Sequence, residues 1–267
     1  MKQRGFSLLE LSIAIVILGV ILYGIKLSQS SIREFDSHKV NKLLMHDARQ
    51  VLLTFVQVNG FLPCPDTDTP ADGRENRKND DTDNSQACVR HYGGLPYLDL
   101  GISDKDEWWS GLYYSVNQDT DNEAAGLDDI ANPNASASYF SNRFTPNSGF
   151  DFNTPPIGVL GGPRRGNGNF VICNDVTASC DGSTPNDDII EHAAIAVVVS
   201  YGDNGNAPRS PSETENTDND DYFWQARRNI SSGQEFDDQL FWLTGYDVKY
   251  AIIRSEKGLP DMPVPSP

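Results

Sequence analysis

Residues Phe6 to Ile25 form a run of twenty, apolar apart from two serines, whose only charge is Glu10. At about 1.5 Å per residue, a helix of that length crosses a hydrocarbon core of about 30 Å. Lys2 and Arg4 precede the run, which by the positive-inside rule holds the amino terminus in the cytoplasm and sends the rest across. A removable secretory signal is the alternative reading of a basic start followed by an apolar stretch. Against it, Lys26, Leu27, Ser28, Gln29 and Ser30 follow the run with no small-residue cleavage pattern. Glu10 also lies inside the run, where an ionisable group is costly and marks a functional site. A plain membrane anchor has no use for that acid.

The helix is expected to continue to about Asn59, because no proline occurs before Pro63 and Gly60 is a suitable stop. Over Phe6 to Asn59 it would measure about 80 Å. Val40, Leu44, Ala48, Val51, Phe55 and Val58 recur at steps of three and four, so they are expected to form the stripe that docks on a head. Lys42, Asp47, Arg49 and Gln57 fall largely elsewhere.

The remaining chain is long enough for one globular head. Hydrophobic residues make up 38% of the 267, so a core can form, while 22 glycines and 16 prolines make it loop-rich. A net charge of -17 argues against a nucleic-acid groove, which needs clustered Lys and Arg. Cys64, Cys88, Cys173 and Cys180 form an even set on the exported side, where disulfides persist. Three pairings are possible, and proximity favours Cys64 with Cys88 and Cys173 with Cys180. Zinc is the competing use, but no cysteine sits in C-x-x-C and neither His91 nor His192 has ligand spacing to one.

Gly5-Phe6-Ser7-Leu8-Leu9-Glu10 followed by an apolar helix resembles the class III signal peptide of type IV pilins, minor pilins and type II secretion pseudopilins. The resemblance implies cleavage by a prepilin peptidase between Gly5 and Phe6, methylation of Phe6, and pairing of Glu10 with the terminal ammonium of a neighbouring subunit. Two opposite charges buried among apolar helices satisfy each other only in one axial register, so such a pair sets registry more than it adds stability. Losing Lys2 and Arg4 with the leader would take the side-chain charge from -17 to -19. Major type IV pilins usually carry a proline in this helix; here Gly19 and Gly24 stand instead. Either they ease local unwinding when the subunit leaves lipid, since each weakens a helix by about 1 kcal/mol relative to alanine, or they serve close packing in the membrane.

In the head, Leu62-Pro63-Cys64-Pro65-Asp66 and the later Gly94-Leu95-Pro96-Tyr97-Leu98-Asp99-Leu100-Gly101 resemble segments of a group of large pilin-like proteins. Trp108, Trp109 and Leu112 to Val116 read as the start of a packed core. Residues 119–152 read as loop. Asn169 to Cys173, Ala193 to Ser200 and Tyr246 to Arg254 read as three strands of one sheet, the second as a buried central strand. Tyr201 to Asp221 reads as a long acidic loop. Phe236 to Leu243 fits a short helix or a strand. The expected fold is α+β, a long amino-terminal helix packed on an antiparallel sheet. Its divisions are a leader at 1–5, a membrane and filament-core helix at 6–25, an amphipathic half at 26–60, a head at 61–257 and a flexible tail at 258–267.

Carboxylates in loops are what calcium prefers. The candidates are Asp66, Asp68 and Asp72; Asp80, Asp81 and Asp83; Asp119, Asp121 and Glu123; and Asp218, Asp220 and Asp221. None has EF-hand spacing; Ala124 stands where the sharp turn of the third group would need glycine. The resemblance lends support, several pseudopilins being calcium proteins. No H-E-x-x-H or G-x-S-x-G occurs, and Gly161 to Gly168, holding Arg164 and Arg165, lacks the Lys-Ser or Lys-Thr of a phosphate loop. Trp224 is the tryptophan expected at an exposed rim, with Trp108, Trp109 and Trp242 in the core.

These readings converge on a non-enzymatic pilin-like subunit, a minor pilin or pseudopilin, with no required cofactor. It would be a single-pass inner-membrane protein with a periplasmic head, later a filament component. Its expected partners are other pilin-like subunits, the prepilin peptidase, an inner-membrane assembly platform and, before assembly, lipid. The alternative is an exported calcium-dependent adhesin or ligand-binding protein on a pilin-like anchor.

Overall fold

The computed structural model describes residues 8–59, 62–78, 88–116, 170–174, 180–205, 207–208 and 210–254. The chain divides into two compact units, 1–41 and 42–267. Helix α1, Leu8–Asn59, runs without a break across that division. No helix among the described residues is long and apolar enough to cross a membrane. Within 6–25 the described side chains are those of 11–24, fourteen positions (24 − 11 + 1), so the crossing expected of 6–25 rests on the sequence.

In the second unit the helix buries Met45, Ala48, Leu52, Leu53 and Val56 in the main core cluster, beside Leu62, Tyr114, Ala196, Val198 and Leu243. The expected stripe is rotated. Leu44, Val51 and Phe55 only flank the core, while Val40 and Val58 are exposed. The cause is on the polar side of the pattern, because Arg49 and Gln57 also face the head. Arg49 Nη2 lies 2.6 Å from Asp247 Oδ1, and Gln57 Nε2 donates to the Ala251 carbonyl at 2.8 Å.

The described strands form one six-stranded sheet in the order β1 (Tyr92–Gly94), β2 (Tyr113–Val116), β4 (Ile189–Ser200), β3 (Phe170–Cys173), β5 (Tyr222–Trp224), with β6 (Gln239–Thr244) also on β4. β4 is the central strand anticipated from its continuous apolar run. Ala196 to Val199 pair with both β2 and β6, and β3 pairs with the earlier part from Ile189 to Ala194. Ile195, Ala196 and Val198 enter the main cluster, while Ala194, Val197 and Val199 join Phe170, Ile172, Tyr201 and Phe223 in a second. With both faces covered, alternation with polar residues is lost. The sheet is mixed rather than antiparallel as expected, because β3 and β5 pair parallel.

Two further readings are corrected. Tyr246 to Arg254 is not a strand but lies in a helix, Gly245–Arg254. It is numbered α4 here, after α2 (Tyr97–Leu100) and α3 (Pro211–Glu215). Thr244 and Asp247 close a capping box at its start: Asp247 Oδ2 accepts from Thr244 N and Oγ1 at 2.9 Å each, and Asp247 N donates to Thr244 Oγ1 at 3.2 Å. Val248 and Ala251, three apart on one face, are buried in the main cluster. The acidic stretch 201–221 is not a structureless loop either. It holds a 3₁₀ turn at Gly202–Asn204 and α3, which Ser210 caps through its hydroxyl to Glu213 N at 3.3 Å.

Disulfides join Cys64 to Cys88 and Cys173 to Cys180. The two segments noted around Cys64 and Leu95 meet: Asp66 N donates to the Gly94 carbonyl at 2.9 Å and Gly94 N to the Asp66 carbonyl at 2.7 Å. Tyr114 Oη donates to the Pro63 carbonyl at 3.0 Å. The loop reading of 119–152, Arg164, Arg165 and the tail 258–267 lie outside the described residues.

Candidate functional site

Gly5 and Phe6 lie outside the described residues, as does the side chain of Glu10. Immediately beyond them, every side chain from 11 to 24 on α1 is exposed, including Leu11, Ile13, Ile15, Val16, Ile17, Leu18, Val20, Ile21 and Leu22. Soluble monomers rarely leave such a continuous apolar surface uncovered.

The acidic groups separate by what their oxygens do. Asp119, Asp121 and Glu123, like Asp80, Asp81 and Asp83, fall outside the described residues. Asp66, Asp68 and Asp72 do converge. Their carboxylates serve as backbone staples: Asp66 Oδ1 and Oδ2 accept from Asp68 N at 3.0 Å and Gly73 N at 2.6 Å, and Asp72 Oδ1 accepts from Arg74 N at 2.9 Å. Asp68 Oδ2 accepts from Asn76 Nδ2 at 3.2 Å. Asp218 and Asp220 also converge, with Glu215 rather than Asp221. Asp218 and Asp220 are exposed and each accepts a backbone N–H, from Asp220 and Tyr222 respectively. Burial, then the charges of Asp220, Asp218 and Asp181, push the Glu215 carboxyl up to about 8.

A third group has no signature in the sequence. Glu213, Asp237 and Asp238 each bring a carboxylate oxygen within 4.8 Å of the others. Glu213 is on α3, and the two aspartates immediately precede β6. Glu213 is 1% exposed and Asp238 5%. Asn204 Nδ2 donates to Glu213 Oε2 at 2.8 Å, and Asn216 Nδ2 donates to Asp238 Oδ2 at 2.7 Å. Asn216 is itself fixed, accepting from Trp224 N at 2.7 Å through Oδ1 and from Tyr201 Oη at 3.1 Å through its carbonyl. Asp237 Oδ2 accepts from Asp203 N at 2.7 Å. That approach needs the glycine at 202, which has φ +67° and where a Cβ would overlap the Asp237 carboxyl.

Burial dominates the electrostatics here. It pushes Asp237 up to about 7, opposed by the Asp203 N–H and reinforced by the charges of Asp203 and Glu213. It pushes Asp238 up to about 8, opposed by the Asn216 hydrogen bond and reinforced by Glu213 and Asp237. The charges acting on both aspartates are therefore acidic. No sequence spacing announces the group, since 24 residues separate Glu213 from Asp237 (237 − 213).

Two of the four tryptophan expectations are reversed, and Trp108 is half-buried. Trp224 is not at a rim: it is 8% exposed and packs with the Cys173 and Cys180 cluster, because β5 pairs inside the sheet. Trp109 is 83% exposed at φ +66°, on a turn held by Asp106 Oδ1, which accepts from Trp108 N and Ser110 N at 2.9 Å each. Trp242 is partly buried against the second cluster, which fits its assignment to the core. A cavity of about 430 Å³ lies beside α3, lined by Pro211, Trp224, Arg227, Asn229, Gln234 and Phe236 among others.

The described fold is thus a disulfide-bonded α+β head together with a helix exposing an apolar surface towards its amino terminus. Residues 1–22 match the model of the prokaryotic N-terminal methylation motif. The amino terminus is therefore supported as a type IV pilin-like or pseudopilin class III signal peptide. Such a motif implies processing by a prepilin peptidase and assembly with other pilins. No curated protein and no solved structure matches the chain.

Proposed function

We propose that the chain is a structural subunit, a minor pilin or minor pseudopilin, of a type IV pilus or type II secretion filament. It enters the inner membrane through 6–25 with its head on the periplasmic side, is cut after Gly5 and methylated on Phe6, and is drawn into a filament by an inner-membrane assembly platform. The observation that carries this reading is the methylation motif at residues 1–22, continued by a helix whose side chains from 11 to 24 are all exposed and mostly apolar. That surface needs lipid first and neighbouring helices afterwards. The head's disulfides fit an oxidising compartment. A large, loop-rich head is more easily accommodated at a tip or at low frequency than in every turn of a filament, which favours a minor subunit.

Glu10 is the registry device, neutralised by the terminal ammonium of a neighbouring copy. Mass spectrometry of the mature protein is expected to show methyl-phenylalanine at Phe6. A natural product that begins at Met1, or lacks the whole apolar run, contradicts the reading. Glu10→Ala is expected to insert into the membrane normally yet fail to enter filaments, and normal incorporation would remove the role assigned to that carboxylate.

A further inference from the structure

We propose that Glu213, Asp237 and Asp238, with the Asn204 amide oxygen as a neutral ligand, form a site for a hard divalent cation of the calcium type. Convergence of three carboxylates alone would not carry this, since the Asp66 group converges too and uses its oxygens as backbone acceptors. What separates the two is the state of the oxygens. Asp238 is 5% exposed, and its Oδ1, like Asn204 Oδ1, is shielded from solvent with no hydrogen-bond partner; Asp237 Oδ1 is shielded as well, with the Asp203 carboxyl beside that side chain. A buried acceptor left unmatched costs about 1–3 kcal/mol, and more when charged. Two of these oxygens belong to cluster carboxylates and the third to Asn204, whose amide nitrogen is hydrogen-bonded to Glu213, and together they mark a place that something else completes.

A proton can answer only part of that demand. Protons on the two raised aspartates would neutralise both and turn one oxygen of each into a donor, but each proton bridges only two oxygens. A dication answers all of them at once. The donors are carboxylate and amide oxygens, which select calcium or magnesium over softer metals. They come from three separate segments, the 3₁₀ turn, α3 and the start of β6, and two belong to adjacent residues. Calcium's variable coordination suits such a set better than magnesium's near-ideal octahedron. Binding would tie α3 and the 3₁₀ turn to the sheet edge at β6, pinning the acidic 201–221 segment.

The test uses the full-length chain in detergent micelles, stripped with EDTA and titrated with calcium chloride while heat and melting temperature are followed. The expected result is saturable binding with a rise in melting temperature. Asp238→Asn and Glu213→Gln, which keep side-chain shape, should each weaken binding about tenfold or more. Asp68→Asn and Asp218→Asn, at exposed positions in the other two groups, should leave it unchanged. Wild-type protein showing neither heat nor a shift at about 5 mM calcium, above the roughly 0.1–1 mM dissociation constants of weak extracellular sites, overturns the proposal. So does a calcium response that survives Asp238→Asn and Glu213→Gln but disappears in Asp68→Asn or Asp218→Asn. If Asp238→Asn fails to fold, Glu213→Gln decides the matter by itself.

Discussion

Asp247 joins two elements by one side chain, so its removal tests both the start of α4 and the seating of α1. Its Oδ2 closes the capping box with Thr244, and its Oδ1 accepts from Arg49. Losing a helix cap costs about 1 kcal/mol, within a range of roughly 0.5–2. The Arg49 pair, each partner 30% exposed, adds about 0.5–1 kcal/mol after allowance for solvent screening. Asp247→Ala should therefore destabilise by about 1.5–2 kcal/mol. In a unit of 226 residues (267 − 42 + 1) this lowers the melting temperature by about 3–8 °C. Thr244→Ala keeps the pair and loses the cap, for about 1 kcal/mol. Circular dichroism melts of the full chain in micelles, with Arg49→Ala completing a double-mutant cycle, give both quantities. If Asp247→Ala and Thr244→Ala both melt within about 1 °C of wild type, the capping argument is wrong; a cycle that closes to zero removes the pair alone.

Leu52→Ala, at a fully buried position on α1, should cost about 2–5 kcal/mol, whereas Val58→Ala at 62% exposure should stay within about 0.5 kcal/mol. Equal costs in denaturant titrations would restore the unrotated stripe. Burial lowers His91 from its ordinary 6.5, with the charge of Asp221 partly offsetting it. The unfolded chain therefore takes up the proton first as pH falls through 6.5, so the contribution of this group is present above that pH and lost below it. The difference in unfolding free energy between wild type and His91→Gln should thus change as pH falls from 7 towards 5, and parallel stability curves would refute the assignment.

The elements legible in the sequence were those whose signal lies in contiguous residues. Gly5 to Glu10 and the apolar run carried the methylation motif, Ala193 to Ser200 carried the central strand, and no proline interrupted α1. Short separation favoured the Cys173 to Cys180 bridge because a short loop has little freedom to lose on closure. At Tyr246 to Arg254, alternating apolar residues outweighed a capping box that begins two positions earlier, at Thr244. The boundary at Thr244, where the side chains of Thr244 and Asp247 satisfy each other's backbone N–H groups, decides the element there.

By itself, then, the sequence determined the amino-terminal motif, the chain's acidic character and the strand able to be buried on both faces, all properties of neighbours along the backbone. Tertiary structure alone decided that Arg49 and Gln57 face inward, that β5 joins β3 in parallel, and that Glu213 meets Asp237 and Asp238. The physical reason is that oxygens on segments 24 residues apart acquire a common environment, and a common cost of burial, only when the sheet and α3 bring them together.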